Sequence, residues 1–170
     1  MDLEARLADP VLDPQRHAEH PEELRLWLRL LTCAQLVEKN LRARLRGEFD
    51  TTLPRFDLMA QLERRPEGMK MSDLSRRMMV SGGNVTGITD QLVAEGLVER
   101  AAVDGDRRAY SVRLTAKGRE VFDAMARAHE NWIVQAFDGL SPREQKTLHG
   151  LLGKVKQANR AEPVIPKQNA

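Results

Sequence analysis

Residues 71–115 read MSDLSRRMMVSGGNVTGITDQLVAEGLVERAAVDGDRRAYSVRLT, and this stretch narrows the possible folds more than any other. Leu74 and Met78 mark a short helix with Ser72 as its N-cap, and Val80 falls in the turn beyond. A second helix is capped by Ser81 and stopped at Gly96, where a left-handed C-terminal residue fits. Its residues Val85, Ile88 and Leu92 recur at i, i+3 and i+7 and point inward. Residues 97–102 and 110–114 then read as two strands around VDGDRR, in which Asp104-Gly105 is a hairpin turn signal. Two short helices joined by a tight turn and followed by a hairpin make a winged helix-turn-helix.

The flanks are longer and more apolar. Pro21, Glu22 and Glu23 open a helix in which Leu26, Leu30, Cys33, Val37, Leu41 and Leu45 recur every three or four residues, with Gly47 ending it. Thr52 and Pro54 open the next helix, which carries Phe56, Met59 and Leu62 and closes near Pro66. Thr115 caps a long helix bearing Val121, Met125, Ala128, Trp132 and Ala136. Ser141-Pro142-Arg143-Glu144 has the spacing of a capping box and begins a last helix with Leu148, Leu151, Leu152 and Val155.

The expected fold is therefore mainly α, an α+β winged helix-turn-helix of six helices with a two-stranded wing. Residues 1–20 form an arm, 21–50 and 116–160 dimerisation helices, 51–115 the DNA-binding domain, and 161–170 a flexible tail. The terminal helices carry stripes too large for one subunit to cover, which points to a homodimer built from both ends of the chain.

A net charge of +2 does not by itself announce a nucleic-acid partner, but its distribution is uneven. Residues 64–119 hold eleven bases against seven acids, whereas residues 1–23 are acidic. No apolar run approaches the ~20 residues that cross a bilayer, and the acidic N-terminus is unlike a signal peptide, so a cytoplasmic protein without a membrane partner is expected. One cysteine excludes an intrachain disulfide framework. His17, His20, His129 and His149 form no i, i+4 pair, so no metal site is expected, nor any cofactor. No phosphate loop or nucleophile elbow appears, and an enzyme is not expected.

The second short helix offers its reading face through small polar residues. Ser81, Gly82, Gly83, Asn84, Thr86, Gly87 and Thr89 suit a major groove, with Ser72 and Arg76 on the helix before it. Such residues are also common at helix caps, so the hairpin decides the matter. Asp106, Arg107 and Arg108 sit at its tip, where paired arginines suit a narrow minor groove. Which arginine enters the groove and which braces Asp106 stays open.

The same segment resembles the MarR (multiple antibiotic resistance regulator) family. The residues that carry the likeness are Leu74-Ser75, Asn84-Val85-Thr86, the run from Leu92 through Arg100, Asp106-Arg107-Arg108, and Val112 through Gly118. With flanking helices of matching length it extends over residues 21–158. The resemblance implies a homodimer whose first, fifth and sixth helices interlock, two winged domains on a palindromic operator in double-stranded DNA, and a repressor released by a small-molecule effector. Ser81-Gly82-Gly83 departs from it, being glycine-rich where longer side chains are frequent.

A weaker likeness, in HPEELRLWLRLLTC and LPRFDLMAQL, is to the subgroup that controls hydroxycinnamate and aromatic-acid catabolism. It implies an aromatic acid or its CoA thioester as effector. Trp27, Phe56 and Trp132 would line such a pocket, and Arg42, Arg44 and Arg46 would meet its anion. Aromatic residues in these positions more often serve core or interface, and the arginines equally suit a solvated helix end. Alternatives are a redox-sensing regulator acting through Cys33, more often a buried structural thiol, and a winged helix that only binds protein.

Overall fold

The computed structural model describes residues 21–78, 82–103 and 106–160. The expected arm, the Ser81 cap, the Asp104-Gly105 turn and the tail lie outside them. In order, the elements are α1 (Pro21–Phe49), α2 (Leu53–Glu63), β1 (Met69–Lys70), α3 (Met71–Met78), α4 (Gly82–Ala94), β2 (Val98–Val103), β3 (Asp106–Leu114), α5 (Ala116–Ala136) and α6 (Pro142–Ala158). The chain divides into two units, one ending at His129 and one beginning at Glu130.

The six expected helices are present among the described residues, but the sheet has three strands rather than two. β1 pairs antiparallel with β3, Met69 opposite Val112 and Lys70 opposite Ser111, so β3 becomes the central strand. The hairpin itself pairs from Val98 opposite Leu114 to Ala102 opposite Tyr110, with an irregularity before Val103. β3 begins at Asp106, so Arg107 and Arg108 belong to a strand and not to the loop tip that the sequence suggested.

The core of the first unit forms where α2 packs on α3, α4 and β3. Leu58, Met59 and Leu62 of α2, Leu74 of α3, Val85 and Leu92 of α4, and Val98 and Val112 of the sheet are all buried. Burying each such side chain contributes about 1.5–3 kcal/mol, which is what makes an eight-residue helix such as α3 persist. Phe56 extends this core toward α5, stacking on Phe122 and His129 at centroid distances of 5.5 and 4.6 Å.

Local chemistry sets the ends of the elements. Gly47 does not end α1; the helix runs on to Phe49 and stops at Asp50, whose φ of 46° is left-handed. Asp tolerates that region better than most residues, and Thr51 N–H donates back to Leu45 O at 3.2 Å. Thr52 is the N-cap of α2 through its carbonyl alone, accepting from the N–H groups of Arg55 and Phe56. Ser72 lies inside α3, which starts one residue earlier, so it is not the N-cap.

In the second unit the capping box at Ser141 forms as its spacing predicts. Ser141 N–H donates to Glu144 Oε2 at 2.8 Å, and Glu144 N–H returns to Ser141 Oγ at 3.4 Å. The Ser141 hydroxyl also donates to Glu144 and holds that carboxyl below its usual range. Gln145 Nε2 then donates to the carbonyls of Phe137 and Leu140, closing the turn before α6.

Much of the apolar stripe remains uncovered. No residue of α6 is buried, and Leu151 and Val155 stand open. On α1, Leu41 and Leu45 are buried, whereas Leu26 is 66% and Trp27 55% exposed. Cys33, read as a buried thiol, is exposed on this same helix, where no element among the described residues lies over its stripe.

Two expectations follow from this packing. Gly118 opens α5 against the α4–β2 turn, and a Cβ there would overlap the backbone carbonyl of Leu97. Helix propensity favours alanine by up to ~1 kcal/mol, but overpacking against rigid backbone costs about 1–3 kcal/mol, so the clash wins. Gly118→Ala should lower Tm by several degrees in thermal unfolding, and a raised Tm would show that the helix does not approach the turn so closely.

The second concerns His129 and Asp57. Burial lowers the His129 pKa from 6.5, against the pull of Asp57; burial likewise raises that of Asp57, against His129 and Arg42. A histidine depressed in the folded state binds fewer protons than in the unfolded one, so stability falls as pH drops below 6.5 toward its folded value. Melting scans at pH 7.5 and 5.5 should therefore show a smaller acid loss in His129→Gln than in the parent. Equal losses would remove His129 as the cause.

Candidate nucleic-acid interface

The turn that ends α4 is held from three sides, and this fixes what the helix presents. Gly96 adopts a φ of +70°, and Leu97 N–H donates to Leu92 O at 2.9 Å. Thr115 Oγ1 donates to Gly96 O at 2.8 Å while accepting from Gly118 N–H at 2.9 Å. Lys117 Nζ reaches Glu95 O at 3.0 Å, and the Glu95 carboxylate pairs with Arg55 of α2. Asp90, further up α4, pairs with Arg100 of β2.

Held this way, α4 turns Val85, Thr89 and Leu92 into the core and exposes Gly82, Gly83, Asn84, Thr86 and Gly87. Thr89 is a correction to the sequence reading, which placed it on the outer face. It is fully buried, its hydroxyl donates to Val85 O at 2.8 Å, and it lies four residues from Val85 on the inner side. Ile88, expected to point inward, is only half-buried. The Thr86 hydroxyl donates to Gly82 O at 2.9 Å, so toward solvent it offers lone pairs rather than its proton.

A Cβ built on Gly82, Gly83 or Gly87 would meet nothing within 4 Å. Packing within the chain therefore does not require glycine at these positions. Gly87, inside the helix, costs about 0.8–1 kcal/mol relative to alanine, whereas Gly82 and Gly83 stand in its first turn.

On α3, Ser72 and Arg76 are exposed, with Arg76 paired to Asp73 at 3.3 Å. Ser81 lies outside the described residues, as do the side chains of Asp106, Arg107 and Arg108, whose backbone forms the start of β3.

Of the residues expected to hold an effector, five lie in the first unit and Trp132 lies in the second. Trp27 is exposed on α1, Phe56 is in the core beside His129, and Trp132 is buried in the second unit. Arg42 binds Glu38 through its Nε at 3.0 Å, and Arg44 and Arg46 are exposed. A concavity of about 500 Å³ in the first unit is lined instead by Phe49, Arg55, Met59, Glu95, Lys117 and Met125, among others, and by none of those six. The Arg55 Nε there is buried and donates to no atom among the described residues. Arg55 and Glu95 stand forty positions apart with no motif to join them, so only the folded chain brings them together.

Comparison with known proteins agrees with this geometry. Residues 49–109 match the MarR family. An HTH-type transcriptional regulator of Bacillus subtilis, YkoM, is 38% identical over 86 residues, which span 51% of this chain and 56% of that protein's length. The transcriptional repressor MprA of Escherichia coli K12 is 29% identical over 144 residues, 82% of this chain and 80% of that one. A MarR family transcriptional regulator of Silicibacter pomeroyi superposes with a TM-score of 0.71 at 29% identity, covering 84% of this chain and 99% of its own. Among the described residues no helix is long and apolar enough to cross a membrane. The chain thus has the winged helix-turn-helix fold, and its residues 49–109 resemble the MarR family.

Proposed function

We propose that the chain is a homodimeric transcriptional repressor that seats α4 in the major groove of a palindromic operator and is released by a small effector. The observation that carries this reading is the outer face of α4. Three exposed glycines that the chain's own packing does not need, beside Asn84 and Thr86, form a surface a duplex can approach closely. The names of relatives support it, MprA being a transcriptional repressor.

Residues 51–115 make the DNA-reading part, in which Ser72, Arg76, Ser81, Gly82, Gly83, Asn84, Thr86 and Gly87 face the duplex and Asp106, Arg107 and Arg108 serve the wing. Thr89 is left out because it is buried. Residues 21–50 and 116–160 make the dimer. Leu26, Trp27 and Leu36 of α1, with Leu148, Leu151, Leu152 and Val155 of α6, are apolar and exposed in a single chain, as an interface awaiting its second copy would be.

The effector proposed is an aromatic acid or its CoA thioester, meeting the basic end of α1 at Arg42, Arg44 and Arg46. Fluorescence anisotropy of DNA from upstream of the gene, challenged with free aromatic acids, their CoA thioesters, peroxide and zinc, tests both levels. Release by an aromatic acid or thioester supports the effector; release by peroxide alone would move the sensing to Cys33. Tight binding unmoved by the whole panel keeps the regulator and rejects the effector.

Replacing both wing arginines, Arg107→Ala with Arg108→Ala, should weaken operator binding at least tenfold while sedimentation still shows a dimer. Unchanged affinity would mean the wing lies off the DNA.

A further inference from the structure

A cleft of about 800 Å³ lies between β1, α3 and the loop before them, lined by Arg65, Lys70, Arg76 and Arg77 together with Glu67 and Asp73. The two acids are engaged by two of the bases, Glu67 with Arg65 at 3.5 Å and Asp73 with Arg76 at 3.3 Å. Lys70 and Arg77, both exposed, have no acidic partner among the described residues. The cleft thus holds two uncompensated cations. Concave walls of low dielectric concentrate their field more than a convex surface would.

The cleft is built by features that short-range patterning does not show. Gly68, at a φ of +95°, lets the loop lie so close to β3 that a Cβ would stand 3.0 Å from Val112 O. That approach allows Met69 and Lys70 to pair with Val112 and Ser111, and the pairing fixes Lys70 on the rim. Arg76 and Arg77 reach the same cleft from the last turn of α3. No aromatic side chain among the described residues lines it, so these give no platform on which a base or a nucleotide ring would stack.

We infer that this cleft grips the sugar–phosphate backbone of duplex DNA beside the bases that α4 reads, an inference that rests on the DNA-reading role proposed above. Guanidinium and ammonium groups pair strongly with phosphate oxygens, and contacts of that kind carry no base preference. α3 packs against α4. In helix-turn-helix proteins the first helix crosses the backbone while the second enters the groove, which brings α3 and β1 to the phosphates.

The test is salt dependence of binding by the full-length protein, for operator and for random duplex of equal length. Lys70→Gln with Arg77→Gln should weaken both complexes by a similar factor and leave the ranking of point-changed operators as it was. Each phosphate contact contributes about 0.9 to the slope of log K against log salt, so the double variant should lose about 1.8 per protomer. Arg6→Gln with Arg16→Gln, in neither the dimer helices nor the DNA-reading residues, removes the same charge elsewhere and should leave the slope near the parent's. Glu67→Gln removes an acid from the cleft and should tighten both complexes.

An unchanged slope in the cleft variant, while the parent binds its operator tightly, overturns the cleft and spares the DNA-reading role. A changed operator ranking assigns the cleft to base reading instead and also overturns it. A parent that binds no duplex overturns both. Melting curves of each variant separate loss of contact from loss of fold.

Discussion

The hydrogen bonds that Thr115 makes at the end of α4 determine what the rest of the first unit can present. One hydroxyl donates to Gly96 O and accepts from Gly118 N–H, so it ties the turn after α4 to the first turn of α5. Gly118 makes that junction possible by having no Cβ to strike Leu97 O. Arg55 adds a link from α2, since its pairing with Glu95 reaches the last residues before the turn. Without this junction α4 would be a glycine-rich helix of thirteen residues with little propensity of its own. Rigid placement here is thus supplied by tertiary contacts and not by the helix sequence.

Two kinds of apolar surface coexist in the chain and answer different needs. Around α2, the side chains of α3, α4 and the sheet close over one another, and Leu58, Leu74, Val85 and Val112 are buried. Along the first half of α1 and the whole of α6 they do not. Aliphatic area left open at Leu26, Leu36, Leu151 and Leu152 would be a standing liability for a monomer, and a second copy is the covering that symmetry supplies most readily. Cys33 belongs to this surface. It is exposed along with the other open residues of α1.

Where a residue's role was local, the sequence disclosed it. The Ser141–Glu144 box, the left-handed Gly96, the Thr115 cap and the pairing of β2 with β3 follow from spacings of a few residues. Where the role depended on a partner far along the chain, it stayed hidden. β1 is two residues long, too short to show a period, and exists only because β3 offers it an edge. Thr89 misled for a different reason. Its polarity suggested an outer face, but its hydroxyl is satisfied by its own helix at Val85 O, and a threonine so bonded packs in a core like valine. Gly47 misled because a glycine after basic residues resembles a stop, yet Asp50 takes the left-handed turn three residues later.

The outer face of α4 also limits how this helix can tell one sequence from another. Gly82, Gly83 and Gly87 bring backbone to a duplex but no side chain. Thr86 has spent its hydroxyl proton on Gly82 O and can only accept, which suits an amino group of cytosine or adenine. Among the described residues of its first two turns, Asn84 can both donate and accept, the arrangement that pairs with an adenine edge. On the DNA-reading role proposed here, Asn84 and Thr86 by themselves give little discrimination by direct contact, since a good bidentate pair is worth about 1–3 kcal/mol. The remaining selectivity must then come from groove width and from the ease with which the operator deforms. On that role the wing would read shape while the helix reads bases, and the basic cleft would add affinity without preference.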